Sequence, residues 1–399
     1  MSFATLALIC LVAIIGPVLT LPAWLRLPLV VGELLVGLAL GASGAGILNA
    51  GDATFSFLAE VGFALVMFVA GTHVPMRDAS LRQGSGVGAL RALAVGVIAV
   101  PLGLGLAAAF GNDHGFLYAV LIASSSAGLI LPALAGIPLT APAIVAAVPQ
   151  IAIADAVCIV ALPLAIDPAH VGRAALGAVA VLAAGVLVFF FLNWAERSGA
   201  RRRVHNVSER NRLTLELRTS LALLFALAAL AVYLHVSIML AGFCMGLAVA
   251  AVGEPRRLAK QVFALTEGFF APIFFVWLGA SLNLHDLAAY PAALGLGLAL
   301  GIAAVGAHTV VALTRQPWPI AAITSAQLGV PVAAATVGTR LGVLVPGEAA
   351  ALLLGALVTI AVTALVAGRV VRIAKEGAPP REAASGEGAD GARPRPRSG

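Results

Sequence analysis

Apolar runs of membrane length follow one another along almost the whole chain. Bounded by charge, glycine or proline, they cover approximately residues 3–22, 29–48, 54–73, 88–110, 115–135, 143–165, 173–194, 215–234, 236–252, 262–283, 287–313, 319–339 and 347–369. About 20 predominantly apolar residues of helix cross a bilayer core. The predicted fold class is therefore all-α: a polytopic membrane protein of about 13 transmembrane helices. Composition agrees, because 61% of residues are hydrophobic and 11% charged, whereas a soluble domain carries about 25% charged residues. So many spans in 399 residues leave no room for a large soluble domain.

The basic residues set the expected orientation. With the N-terminus outside, all but Arg173 and Arg340 of the 24 lysines and arginines fall on the inner side. Cytoplasmic loops carry such an excess. The expectation is a multi-pass protein of the cell membrane, N-terminus outside and C-terminus cytoplasmic. The net charge of +6 sits in short loops and a tail, so it points to the bilayer and to no nucleic acid. The first run lacks a basic leader and reads as a retained helix.

The longest polar stretch, Glu196–Thr214, reads as a solvated basic loop facing lipid. It follows the seventh run, with six runs before that run and six after it. Halves of six helices separated by an odd one have opposite orientations, the layout of two inverted six-helix repeats with discontinuous crossing helices. Residues 376–399 are rich in Pro, Gly, Ala and Arg and are expected to form a disordered cytoplasmic tail.

One acidic residue stands out. Asp155 lies about twelve residues into its run, whereas every other aspartate falls in a predicted loop or in the tail. A carboxylate at mid-bilayer costs roughly 2.5–3.5 kcal/mol on insertion scales, so an intramembrane Asp implies a ligand or a proton. Glu33, Glu60, Glu267 and Glu348 are placed in the first two turns of predicted helices, where free amides suit a carboxylate. The fifth run is interrupted at Ser124–Ser126, Gly128 and Pro132, and the twelfth at Ser325, Gln327, Gly329 and Pro331. Breaks at matching positions of two halves mark the binding site of inverted-repeat transporters. Backbone groups freed at membrane depth persist only in protein or beside a cavity. Ser125, Ser126 and Gln327 are the expected supplementary oxygens beside Asp155, with Gln150 and His308 as accessory groups. Gly37/Gly41, Gly242/Gly246 and Gly297/Gly301 have the spacing of close-packing helix faces.

Cys10, Cys158 and Cys244 lie in apolar runs without a CxxC pattern, so neither disulfides nor zinc are indicated. Phosphate-binding, dinucleotide, HExxH and GxSxG signatures are absent from the sequence, so no cofactor is expected and an enzyme reading is poor.

Five phrases then resemble one family. LPLVVGELLVGLALG (27–41), FLAEVGFALVMFVAG (57–71), SSSAGLILPAL (124–134), AIADAVCIVAL (152–162) and APIFFVWLGASLNL (271–284) are similar to motifs of monovalent cation/proton antiporters of the second cation–proton antiporter superfamily, the sodium/hydrogen exchanger-like proteins. The resemblance implies a transmembrane antiporter domain over 1–375. Its dimer panel would comprise helices within about 1–83 and 215–283, and its transport core those within about 88–165 and 287–370. It also implies a homodimer, Na⁺ or K⁺ and H⁺ as substrates, and a metal-ion and proton site on Asp155. Ala154 stands where the family usually has a second Asp or an Asn, and His308 lies near the family's Lys or Arg position in the eleventh helix. The expected activity is exchange of Na⁺ or K⁺ for H⁺ by alternating access, cation and proton competing for Asp155. The alternative weighed is a proton- or cation-coupled organic anion carrier on a similar inverted-repeat fold.

Overall fold

The structure is a computed structural model and describes residues 2–20, 29–74, 79–134, 141, 144–211, 213–253, 256–282 and 284–376. Of the tail expected to be disordered, Glu376 ends the last helix, whereas residues 377–399 and the loop residues Arg26, Arg77 and Arg212 lie outside the described residues. Every predicted run overlaps a helix or a broken pair of helices. The first half contains α1 (Phe3–Thr20), α2 (Leu29–Leu40), α3 (Ala53–Thr72), α4 (Ala79–Phe110), α5 (Gly115–Ala123), α6 (Ala127–Ala133), α7 (Ala147–Ile166) and α8 (Val171–Arg197). There follow α9 (Ala200–Arg210), α10 (Leu215–Tyr233), α11 (Ile238–Val252), α12 (Arg256–Leu265), α13 (Ala271–Ser281) and α14 (Leu284–Ala289). The last are α15 (Pro291–Val310), α16 (Trp318–Ile323), α17 (Gly329–Leu341) and α18 (Glu348–Glu376). Among the described residues, eight helical stretches are long and apolar enough to cross a membrane, and shorter apolar helices accompany them.

Local chemistry sets several boundaries. Asp52 caps α3 by accepting the Phe55 amide at 2.9 Å, and Ser237 caps α11 by accepting the Met239 amide at 3.2 Å. Both use a short side chain on amides that a helix start leaves without partners. Pro291 opens α15, where its missing N–H costs nothing. Gly342 ends α17 at φ +68°, a left-handed conformation that glycine adopts without a Cβ clash.

Three expectations are corrected here. Residues within Glu196–Thr214 form a helix, α9, rather than a loop throughout. Its apolar residues recur at helical spacing among the arginines. Glu267 is not in a first turn, because the helix begins at Arg256 and reaches Glu267 through a π-helical turn, Thr266–Phe270. Asp286 falls in the short helix α14 instead of a loop.

Small residues fix the packing. The predicted glycine faces all meet a neighbouring backbone: Gly37 on α2 and Gly41 just after it face α13, Gly242 and Gly246 on α11 face α3, and Gly297 and Gly301 on α15 face α18. At Gly246 a Cβ would lie 2.7 Å from the Gly71 Cα. Lipid tails are as apolar as leucine, so helices associate by close backbone approach rather than by escape from water. Two packing groups result. α13 packs on α2 and α3 and α11 packs on α3, α4 packs on α5 and α7, and α18 packs on α15, α16 and α17. α15 also packs against α4 and α5, tying the two later sets together.

Candidate functional site in the broken helices

The two predicted interruptions are real gaps in helix. Ser124–Ser126 separate α5 from α6, and Thr324–Leu328 separate α16 from α17. Hydroxyl side chains hold the first gap open. Ser124 Oγ is shared between the Leu121 carbonyl, at 2.9 Å, and Gln327 Oε1. Ser125 Oγ donates to the Thr324 carbonyl at 2.8 Å. In the second gap Thr324 Oγ1 donates to the Ala321 carbonyl at 2.7 Å and Ser325 Oγ to the Ala322 carbonyl at 2.7 Å. Such side chains compete with the backbone ladder and so interrupt a helix. Pro331 sits in the first turn of α17, where a helix has no partner for an amide, so it starts that half-helix rather than kinking it. The two gaps therefore touch directly through Ser124–Gln327 and Ser125–Thr324.

Asp155 reaches the first gap from α7. The Ala127 amide, at the start of α6, donates to Asp155 Oδ2 at 2.9 Å. Among the described residues this is the carboxylate's one hydrogen bond, and the residue is 6% exposed. The short half-helix α6 thus begins on a carboxylate with an oxygen to spare. Its own first-turn carbonyl, Ser126 O, accepts from Leu129 and Ile130. The carboxylate does not face lipid, and it is in contact with the break.

The accessory residues converge on a residue that sequence reasoning did not single out. Thr324 Oγ1 accepts from Gln150 Nε2 at 3.4 Å and pairs with His308 Nδ1 at 2.9 Å. Because that hydroxyl donates to Ala321, the ring nitrogen is assigned as the donor. Gln316 Nε2 donates to Gln150 Oε1 at 3.2 Å. The Gln327 amide donates to Thr359 Oγ1 on α18 at 3.3 Å. Ser125, Gln150 and His308 thus meet in one buried network on Thr324, and Gln327 is buried beside it between Ser124 and Thr359. Ser126 lies between this network and the amide that holds Asp155, with its own side chain outside it. Thr324, Gln316 and Thr359 were missed. Thr324 precedes Ser325 in the same polar break, which was the available signal. Gln316 and Thr359 sit in ordinary surroundings and carry none. Two network atoms, His308 Nε2 and Gln316 Oε1, are buried without a hydrogen-bond partner among the described residues. No group of three or more His, Cys, Asp or Glu side chains that could hold a metal ion occurs among the described residues. Any cation here would depend on one carboxylate and neutral oxygens.

The family model for the transmembrane sodium/hydrogen exchanger matches residues 9–374. The chain belongs to that family. Na(+)/H(+) antiporter NhaS5 of Synechocystis sp. (strain ATCC 27184 / PCC 6803 / Kazusa) is 28% identical over 346 residues, covering 78% of this chain and 45% of the relative. YjbQ of Bacillus subtilis (strain 168) is 25% identical over 303 residues, covering 72% of this chain and 48% of the relative. The chain therefore spans about half the length of these curated relatives. The structure of the sodium proton antiporter MjNhaP1 from Methanocaldococcus jannaschii superposes with a TM-score of 0.68 at 16% identity, covering 94% of this chain and 98% of that one. That likeness establishes the sodium/hydrogen exchanger fold for a multi-pass membrane protein.

Proposed function

We propose that this chain exchanges a monovalent cation, Na⁺ or K⁺, for H⁺, and that Asp155 binds the two in turn. The observation that carries this reading is the seat of Asp155 on the first amide of α6, inside the crossing of two broken helices. Burying a lone ionised carboxylate is costly, so the group moves across a low-dielectric barrier only when neutralised by a proton or a cation. One site that must carry one or the other couples their fluxes, and a single carboxylate gives one-for-one exchange. Serine hydroxyls and the Gln327 side-chain oxygen are hard neutral oxygens suited to an alkali ion. The family, and a relative named as a Na(+)/H(+) antiporter, support the reaction class.

In this reading α4–α7 and α15–α18 form the moving core, and α1–α3 with α10–α13 form the panel of a homodimer. The packing groups described above support that division. Alternating access moves Asp155 between the faces. The organic anion carrier weighed from the sequence is not favoured, because the family and the named relatives point to cation exchange. The test is Asp155→Asn in proteoliposomes, read as pH change on addition of Na⁺ or K⁺. Loss of the cation-driven signal is expected, and exchange at the unmodified rate would remove the proposal.

A further inference from the structure

α9 joins two apolar helices of membrane length, α8 and α10, and is itself polar, so it lies at a membrane face. Left-handed residues turn the chain at both of its ends: Gly199 with φ +70° and Thr214 with φ +50°. These turns separate α9 from the helices it joins. Ser208 is buried and its Oγ accepts the Leu215 amide at 3.0 Å, which anchors the helix to the start of α10.

The rest of α9 has two different long sides. Arg203, Val207 and Arg210 are spaced i, i+4 and i+7, and Val204 adjoins Val207 one turn back, so these four share one side. All four are exposed, Val204 at 39% and Val207 at 48%. Arg202 and Glu209 occupy the opposite side, and Asn206 lies at its border, next to Arg203 and Arg210. Arg201 is engaged by Glu196 at 3.0 Å, whereas Arg203 and Arg210 make no ion pair among the described residues. Trp194, 61% exposed, lies in the last turn of the neighbouring α8, and tryptophan concentrates at membrane interfaces.

Two apolar side chains flanked by two free guanidinium groups, on a helix held at a membrane surface, form a recognition surface of known physics. Valines enter the boundary between headgroups and acyl chains, and long arginine side chains reach from there to phosphate oxygens. We propose that α9 is a binding surface for acidic phospholipids, with Arg203 and Arg210 on the phosphodiester headgroups and Val204 and Val207 seated beneath them. The sequence placed this basic stretch against lipid but as a loop, and only the helix brings Arg203, Val207 and Arg210 to one side. The inference is independent of the transported ion.

The full chain, with Cys10, Cys158 and Cys244 replaced and a fluorophore at Val207→Cys, is reconstituted in phosphatidylcholine vesicles. Quenching is measured with spin-labelled phosphatidylglycerol and with spin-labelled phosphatidylcholine at equal mole fraction. Each arginine near an anionic surface strengthens attraction about fivefold. Preferential quenching by phosphatidylglycerol is expected, weakened by roughly 25-fold in affinity when both arginines are neutralised in R203Q/R210Q. R203K/R210K should retain it, and added glycerol phosphate should not compete. Equal quenching by the two lipids, or a preference that survives R203Q/R210Q, overturns the proposal. Quenching of the label by aqueous iodide as strong as at Arg202→Cys, on the opposite side, would overturn it as well. None of these readouts involves ion flux, so they stand whatever the Asp155→Asn measurement gives.

Discussion

At the scale of single residues, the site is held together by hydroxyl groups rather than by charge. Ser124 bridges the two breaks through Gln327. A typical net hydrogen-bond contribution is about 1 kcal/mol. Ser124→Ala should therefore raise the KM for the cation by less than about tenfold, with kcat little changed, in a vesicle exchange assay. A second residue-scale prediction concerns His114, the residue before α5. Its Nδ1 lies 2.7 Å from Glu348 Oε1, and Tyr118 donates to the same oxygen at 2.6 Å. Asn112 donates to the Tyr118 hydroxyl and accepts the His114 amide, while Asp113 adds a second nearby negative charge. The hydrogen bond to Glu348 holds the His114 ring above the ordinary imidazole value of 6.5. A raised folded-state value means the stabilisation is complete below that ordinary value and is lost as pH rises through the raised one. The melting midpoint should fall across that interval in the native protein and stay flatter in His114→Gln.

Among the elements, close helix contacts decide stability. Gly246 and Gly71 bring α11 and α3 within backbone contact. Overpacking a well-filled interface costs typically 1–3 kcal/mol, so Gly246→Val should lower thermal stability in detergent by about that amount. By contrast Gly306 has open space around its Cβ position, and Gly306→Ala should leave the midpoint near that of the native chain. The glycine spacings were legible in the sequence. Their partners were not, since every helix offers small residues and the sequence does not say which pair will meet. The broken helices were legible for a better reason: consecutive serines and a Gln-Leu-Gly-Val-Pro run are local chemistry. Pro331 belongs to that chemistry as well, in the first turn of the half-helix that follows the break.

On the scale of the whole molecule, the proposed exchange needs α6 to move relative to α3. Gly128 on α6 faces Ala70 on α3, a Cβ at Gly128 lying 3.1 Å from that of Ala70. Disulfide formation asks for a Cβ separation near 3.5–4.5 Å, within reach of a small adjustment. In a chain with its native cysteines replaced, Ala70→Cys with Gly128→Cys should cross-link on oxidation, halt exchange, and recover with reductant. Full exchange by the cross-linked protein would show that this contact is static during transport. The ion pair between Arg340 on α17 and Glu60 on α3 also joins the two packing groups, with Arg340 54% exposed. Exposed pairs contribute about 0–1 kcal/mol, so it is a weak tie that suits a moving boundary.

The sequence by itself determined that this chain is a bundle of membrane helices, that two of them are broken, and that Asp155 stands apart from every other aspartate. Each of these follows from transfer free energy or turn chemistry, which act on neighbours in the chain. Only the tertiary structure decided that Asp155 meets the Ala127 amide, that Thr324 gathers Gln150 and His308, and that α9 carries two unlike sides. In lipid, buried and exposed faces of a helix are both apolar. The periodicity that reveals the inner face of a soluble helix is therefore absent, and contacts far apart in sequence emerge only when the helices pack.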